Sequence, residues 1–110
     1  MAKVAVESAN EVYVDLCKEK AIRVLHVDDE AGFLAVAKQC LEDQSRFQVD
    51  TALSAKEALE KLKRSEYDAV VSDYQMDGKN GLELLRELRQ QGNDTPFILF
   101  TCKGKEEIAI

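Results

Sequence analysis

From residue 22 onward, apolar and polar positions alternate between two periods. Ile22, Val24, Leu25 and Val27 form an apolar run that ends at the acids Asp28 and Asp29. Phe33, Leu34, Ala37, Cys40 and Leu41 then recur at the spacing of one helix face. Phe47, Val49 and Thr51 alternate with polar residues as a second strand, and Ser54 followed by Glu57 has the spacing that starts a helix with a capping box. Ala55, Ala58, Leu59 and Leu62 supply the buried face of that helix. A third strand over 68–72, whose Ala, Val, Val run suits burial on both sides, ends at Asp73. After the turn over 78–81, Leu82, Leu85 and Leu88 predict a third helix, with Gly92 suited to a left-handed cap. The fourth strand is expected over Phe97 to Phe100, ending in Thr101, and 105–110 reads as the start of another helix.

Residues 1–21 fit two periods. Ala5, Ala9, Val12, Tyr13, Leu16 and Cys17 have helical spacing, which favours an amphipathic helix. Val4, Val6 and the β-favouring Val12, Tyr13 and Val14 count against it. The chain therefore reads as an N-terminal extension, helical on the better reading, over 1–21 and one α/β domain over 22–110. Strands alternating with helices imply a parallel sheet covered on both faces, because parallel neighbours need a crossover. In such sheets ligands bind outside the carboxyl ends of the strands, which is where Asp28, Asp29 and Asp73 fall.

Composition narrows the function. The 110 residues, 45% hydrophobic and 33% charged, suit one soluble domain. A net charge of −6, from 21 acids against 15 bases, disfavours direct binding to nucleic-acid phosphates. No apolar stretch approaches the ~20 residues that span a bilayer, and the N-terminus lacks a signal peptide's apolar segment, so no membrane contact and a cytoplasmic location are expected. Cys17, Cys40 and Cys102 are odd in number and widely spaced, which suits reduced thiols.

Three motifs, V-L-H-V-D-D-E over 24–30, V-V-S-D-Y-Q-M-D-G-K-N-G over 70–81 and I-L-F-T over 98–101, resemble the signatures of the response-regulator receiver domain of two-component signalling. The resemblance implies a flavodoxin-like doubly wound sheet, with strand order 2-1-3-4 counted from residue 22. It further implies that Asp73 is the phosphoacceptor and a ligand of Mg²⁺, that Asp29 binds the metal directly and Asp28 through water, and that the backbone carbonyl of Gln75 completes the protein's share. Thr101 would hydrogen-bond a phosphoryl oxygen and act as the switch. The implied partners are a sensor histidine kinase or phosphotransfer protein as donor and an output partner that the sequence does not identify. On this reading the domain is no enzyme beyond its own phosphorylation and dephosphorylation.

The chemistry of the residues agrees, because bringing a phosphoryl group against a carboxylate needs a cation, and a small site of hard oxygen ligands suits Mg²⁺. The rival from another class is a phosphorylation-independent interaction module. A phosphotransferase acting on outside substrates is the weakest reading, since no general base or substrate pocket is evident. Several residues read more simply as structure: His26 as a core histidine, Cys102 as a small buried residue, Glu83, Arg86, Glu87 and Arg89 as a solvated helix face, and Lys103 and Lys105 as loop lysines.

Two departures from the family stand out. Asp77 occupies the place where the family usually has proline, predicting a looser and more negative loop. The chain ends at Ile110, before the family's fifth strand and helix and the lysine and switch aromatic they carry. The edge of the fourth strand is then expected to be covered by residues 1–21, docked as a helix or as an antiparallel strand, or by a second copy in a homodimer.

Overall fold

The apolar run Ile22–Val27 becomes a central strand because both of its neighbours are reached by helical crossovers. In the computed structural model, which describes residues 21–44 and 46–100 and the backbone of 3–6 and 12–15, this strand is β3. Before it come β1 (Lys3–Val6) and β2 (Val12–Asp15). After it follow α1 (Ala31–Glu42), β4 (Phe47–Ala52), α2 (Ala55–Arg64), β5 (Ala69–Asp73), α3 (Gly81–Gln90) and β6 (Phe97–Phe100). The main sheet has the order β4-β3-β5-β6, all parallel, which is the expected 2-1-3-4 counted from residue 22.

One face of this sheet carries the core. Leu25, Val27, Ala52 and Val70 from the strands meet Ala55, Ala58, Leu59 and Leu62 of α2 and Leu84 and Leu88 of α3. All four residues expected on the buried face of α2 are buried. Its N-terminus is capped as Ser54 predicts, with the Glu57 N–H donating to Ser54 Oγ at 3.1 Å. The Glu57 carboxylate reaches past the cap and accepts from the Leu53 N–H instead. Gly92 follows α3 at φ +80°, the left-handed conformation expected of it.

Alternation along β3 turns Val24 and His26 to the opposite face, where α1 lies: the His26 ring packs against Phe33 of α1. Here the expected burial is only partly met. Leu34 is buried, but Phe33 and Cys40, both expected on the inner face, are exposed. Val36 and Ile98 are also largely exposed, at 62% and 56%. The cause is tertiary: among the described residues α1 is the sole helix on this face. On α3 the buried stripe is Gly81, Leu84 and Leu88, whereas the expected Leu82 and Leu85 are half-buried. The helix is rotated because Gly81 is part of its contact face.

The helix expected in residues 1–21 is corrected by the structure. Lys3–Val6 and Val12–Asp15 are strands, paired antiparallel with Val4 opposite Val14 and Val6 opposite Val12. The β-branched residues that weighed against a helix decide the matter. The two strands form a sheet of their own rather than extending the main one at β6, so among the described residues neither form of docking expected for 1–21 is seen. Thr101, Cys102, Lys103, Lys105, Cys17 and the helix expected over 105–110 lie outside the described residues. Cys40 carries a free, exposed thiol. No helix among the described residues is long and apolar enough to cross a membrane.

Candidate functional site

The parallel register that pairs Val27 with Ser72 brings the ends of β3 and β5 side by side, so the acids that follow emerge together. Asp28 and Asp73 are each 1% exposed, and Asp29 is half-buried. One carboxylate oxygen from each of the three lies within 4.8 Å of the other two. Three acids this close, two of them out of water, repel one another unless protons or a cation intervene. Burial is the largest influence on Asp28 and pushes its pKa up. The Glu30 N–H, donating to Asp28 Oδ1 at 2.9 Å, opposes that shift, while the charges of Asp73 and Asp29 reinforce it. The same bond lets Asp28 hold the chain at the start of α1, whose own N-cap, Glu30, makes no side-chain cap.

Asp73 is held by its surroundings. The Gln75 N–H approaches its Oδ1 at 3.4 Å, and the buried Ser72 hydroxyl donates to its backbone carbonyl at 3.0 Å. Gly81 sits directly against that carbonyl: a Cβ there would lie 2.3 Å from Asp73 O and 2.5 Å from Leu99 Cδ1. The next turn is fixed by two backbone bonds, Gly81 N–H to Tyr74 O at 2.9 Å and Tyr74 N–H to Phe100 O at 2.7 Å. Asn80 completes the anchoring through a full capping box with Glu83. That Asn-x-x-Glu spacing could have been read from the sequence, whereas the close approach at Gly81 could not.

Asp77, the departure from the family's proline, has a specific role in this geometry. Its N–H donates to Asp29 Oδ2 at 3.0 Å. Proline has no N–H to give, so the substitution adds a tether between the loop and an acid of the cluster, where a looser loop was expected. Gly78 follows at φ +77°, which favours glycine. Beside the cluster, Asp29, Gln75, Met76 and Asp77 line a shallow depression of about 240 Å³, so the cluster is open to solvent on the side of Asp29.

His26 is buried, as expected of a core histidine. Its ring lies 5.6 Å from that of Phe33 and 5.9 Å from that of Phe100. Among the described residues, neither ring nitrogen has a hydrogen-bond partner. Burial lowers its pKa, with the charge of Asp73 working the other way. The structure thus brings Asp28, Asp29 and Asp73 together, with Gln75 beside them. All the donors in this cluster are carboxylate oxygens, a set that fits a hard divalent cation of the Mg²⁺ kind.

Comparison with known proteins points the same way. Residues 24–110 match the family model described as the response regulator receiver domain. Among curated proteins, the transcriptional regulatory protein ResD of Bacillus subtilis is 34% identical over 84 residues, covering 76% of this chain and 34% of ResD. The regulatory protein VanRB of Enterococcus faecalis is 36% identical over 87 residues, covering 79% of this chain and 39% of VanRB. The chain therefore spans little more than a third of the length of these relatives. Among solved structures, the response regulator TrrA of Thermotoga maritima, in complex with Mg²⁺ and BeF, is 38% identical with a TM-score of 0.67, over 73% of this chain and 69% of TrrA.

Proposed function

The chain belongs to the response regulator receiver domain family, and from that premise we propose that Asp73 accepts a phosphoryl group from a phosphohistidine on a sensor kinase or phosphotransfer protein. The observation that carries this reading is the convergence of Asp28, Asp29 and Asp73 within 4.8 Å at adjacent strand ends. In the reaction an Asp73 carboxylate oxygen forms a bond to phosphorus while the phosphorus–nitrogen bond of the donor breaks, and the departing imidazole takes up a proton. Asp29 and Asp73 would hold Mg²⁺ directly, with the Gln75 carbonyl and, through water, Asp28. Bound there, the ion supplies positive charge against the phosphoryl oxygens and the carboxylates. Asp77 positions Asp29 through its N–H, and Gly81 and Ser72 fix the Asp73 backbone.

Thr101 is assigned the phosphoryl contact by its motif. The new charge then biases the loop after β5, and the domain acts as a switch on an output partner rather than as an enzyme on outside substrates. A cytoplasmic location goes with this role. The test is incubation with Mg²⁺ and acetyl phosphate or a phosphorylated kinase, read by intact mass. Gain of one phosphoryl group, absent in Asp73→Asn, is the expected result. Mg²⁺ binding without phosphorylation by any donor would refute it in favour of the phosphorylation-independent interaction module.

A further inference from the structure

Each acid of the cluster accepts a backbone N–H on one carboxylate oxygen, but the three bonds differ in reach. The Glu30 N–H donates to Asp28 Oδ1 at 2.9 Å, and the Gln75 N–H approaches Asp73 Oδ1 at 3.4 Å, both from two residues further along the chain. Asp29 is held from the opposite side of the site: the Asp77 N–H reaches its Oδ2 at 3.0 Å across 48 residues. The loop that carries this N–H is closed without help from any ion. Gly81 N–H bonds Tyr74 O at 2.9 Å, and the capping box of Asn80 and Glu83 fixes the loop's far end.

A carboxylate chelates a cation only when both of its oxygens turn towards it. An N–H donating to Oδ2 fixes the plane of the Asp29 carboxylate and draws charge from that oxygen, which leaves Oδ1 as the stronger donor. Hard divalent cations differ in what they ask of such a group. Ca²⁺ gathers about six to eight oxygens and commonly takes carboxylates two oxygens at a time, whereas Mg²⁺ keeps an octahedral shell with several waters and takes single oxygens.

We propose that Asp77 sets the cation preference of this site: its backbone N–H holds Asp29 to one coordinating oxygen and so favours Mg²⁺ over Ca²⁺. The inference rests on the reading of Asp28, Asp29 and Asp73 as a Mg²⁺ site. Residue 77 acts here as a positioning residue, through Asp29 and not through its own carboxylate. Proline, which the family usually has at this place, offers no N–H, so this discrimination is added by residue 77 to whatever the three acids provide. With the bond removed, Asp29 is free to turn both oxygens to one ion, a gain for Ca²⁺ and none for Mg²⁺.

Separate calorimetric titrations of the 110-residue chain with Mg²⁺ and with Ca²⁺, joined to amide hydrogen exchange at saturation with Mg²⁺, test the proposal. Tighter binding of Mg²⁺ is expected, with the Asp77 amide as well protected in the Mg²⁺-saturated protein as without the ion. Asp77→Pro should shift the ratio of the two Kd values towards Ca²⁺ by about threefold or more, within the range one hydrogen bond spans. Asp77→Asn keeps the N–H and should move that ratio by less than about twofold. A merely structural role for residue 77 would weaken both ions alike in Asp77→Pro, and an unchanged ratio in the folded variant overturns the proposal. So does Ca²⁺ binding to the wild type as tightly as Mg²⁺, or loss of Asp77 amide protection when Mg²⁺ binds. Should Asp77→Pro lose its circular dichroism spectrum, the wild-type preference and the Asp77 amide decide alone. Binding of both ions without preference sinks this inference and leaves the Mg²⁺ reading standing, whereas binding of neither sinks both.

Discussion

Replacing Gly81 by alanine should damage both the fold and the phosphoacceptor. The added methyl would sit 2.3 Å from the Asp73 carbonyl oxygen, 2.5 Å from Leu99 Cδ1 and 3.1 Å from Ser72 Oγ. Unbonded heavy atoms settle at about 3.5–4.0 Å, so the start of α3 must retreat by about 1 Å. Leu99 can turn its tip aside, but the Asp73 carbonyl is backbone, and the Ser72 hydroxyl already bonds it. Overpacking of this kind costs about 1–3 kcal/mol, against which alanine in a helix recovers up to about 1 kcal/mol over glycine. With the full recovery a net loss of up to about 2 kcal/mol follows, or a melting temperature lower by up to about 15 °C for a domain of this size.

Gly32→Ala is the matched control, because it lies near the start of α1 with nothing within 4 Å of its added methyl. It should raise stability by about 0.5–1 kcal/mol through helix propensity and a less flexible unfolded chain. Thermal melts followed by circular dichroism read the comparison, and intact mass after acetyl phosphate treatment reads the site. Gly81→Ala is expected to accept phosphate more slowly, since the shift falls on the carbonyl of the acceptor itself. A Gly81→Ala protein as stable as Gly32→Ala would refute the packing account.

Two further outcomes follow from single contacts. In a Mg²⁺ titration, Asp77→Asn keeps the N–H that positions Asp29 and should change affinity by less than about twofold, because an exposed charge is well screened; Asp77→Pro loses the bond, worth about 0.5–1.5 kcal/mol, and should weaken affinity by about two- to tenfold. Equal effects would show that the charge matters and the N–H does not. Tyr67 donates its hydroxyl to Asp50 at 2.6 Å beneath the Arg23 guanidinium, and burial, then that bond, push its pKa up to about 12. Its folded pKa lies above the unfolded value of about 10, so its contribution is complete below pH ~10 and disappears as pH rises towards ~12. Tyr67→Phe should be less stable at neutral pH and show a shallower alkaline loss in denaturant titrations at stepped pH. Parallel curves for the two proteins would contradict the assignment.

The acid cluster was legible because its signal is local. Apolar runs that stop at Asp28 and Asp73 mark strand ends, and adjacent parallel strands bring such ends together. The faces of α1 and α3 were less legible because exposure depends on what lies across from a helix. Phe33 has the spacing of a buried residue yet is 40% exposed, and the phase of α3 is set by Gly81, which as a turn residue carried no packing signal. Residues 1–21 satisfy a helical period and a strand alternation together; the helical period is the more regular, but Val4, Val6, Val12 and Val14 belong to the observed pairing. The tether from Asp77 to Asp29 had no signature at all, since a backbone donor 48 residues away is invisible to pattern.

The contacts that hold the acceptor also tie it to β6. Tyr74, the residue after Asp73, donates its N–H to Phe100 O, and Leu99 lies against Gly81, which itself touches the Asp73 carbonyl. Both bridges end on β6. On the inner side, Leu84 and Leu88 of α3 belong to the dense core with α2, so movement there means repacking. On the other face, Ile98 is mostly in water and Phe100 is half-buried, which makes displacement towards that side cheaper. A charge arriving on Asp73 therefore meets a stiff wall at α3 and a compliant one at β6.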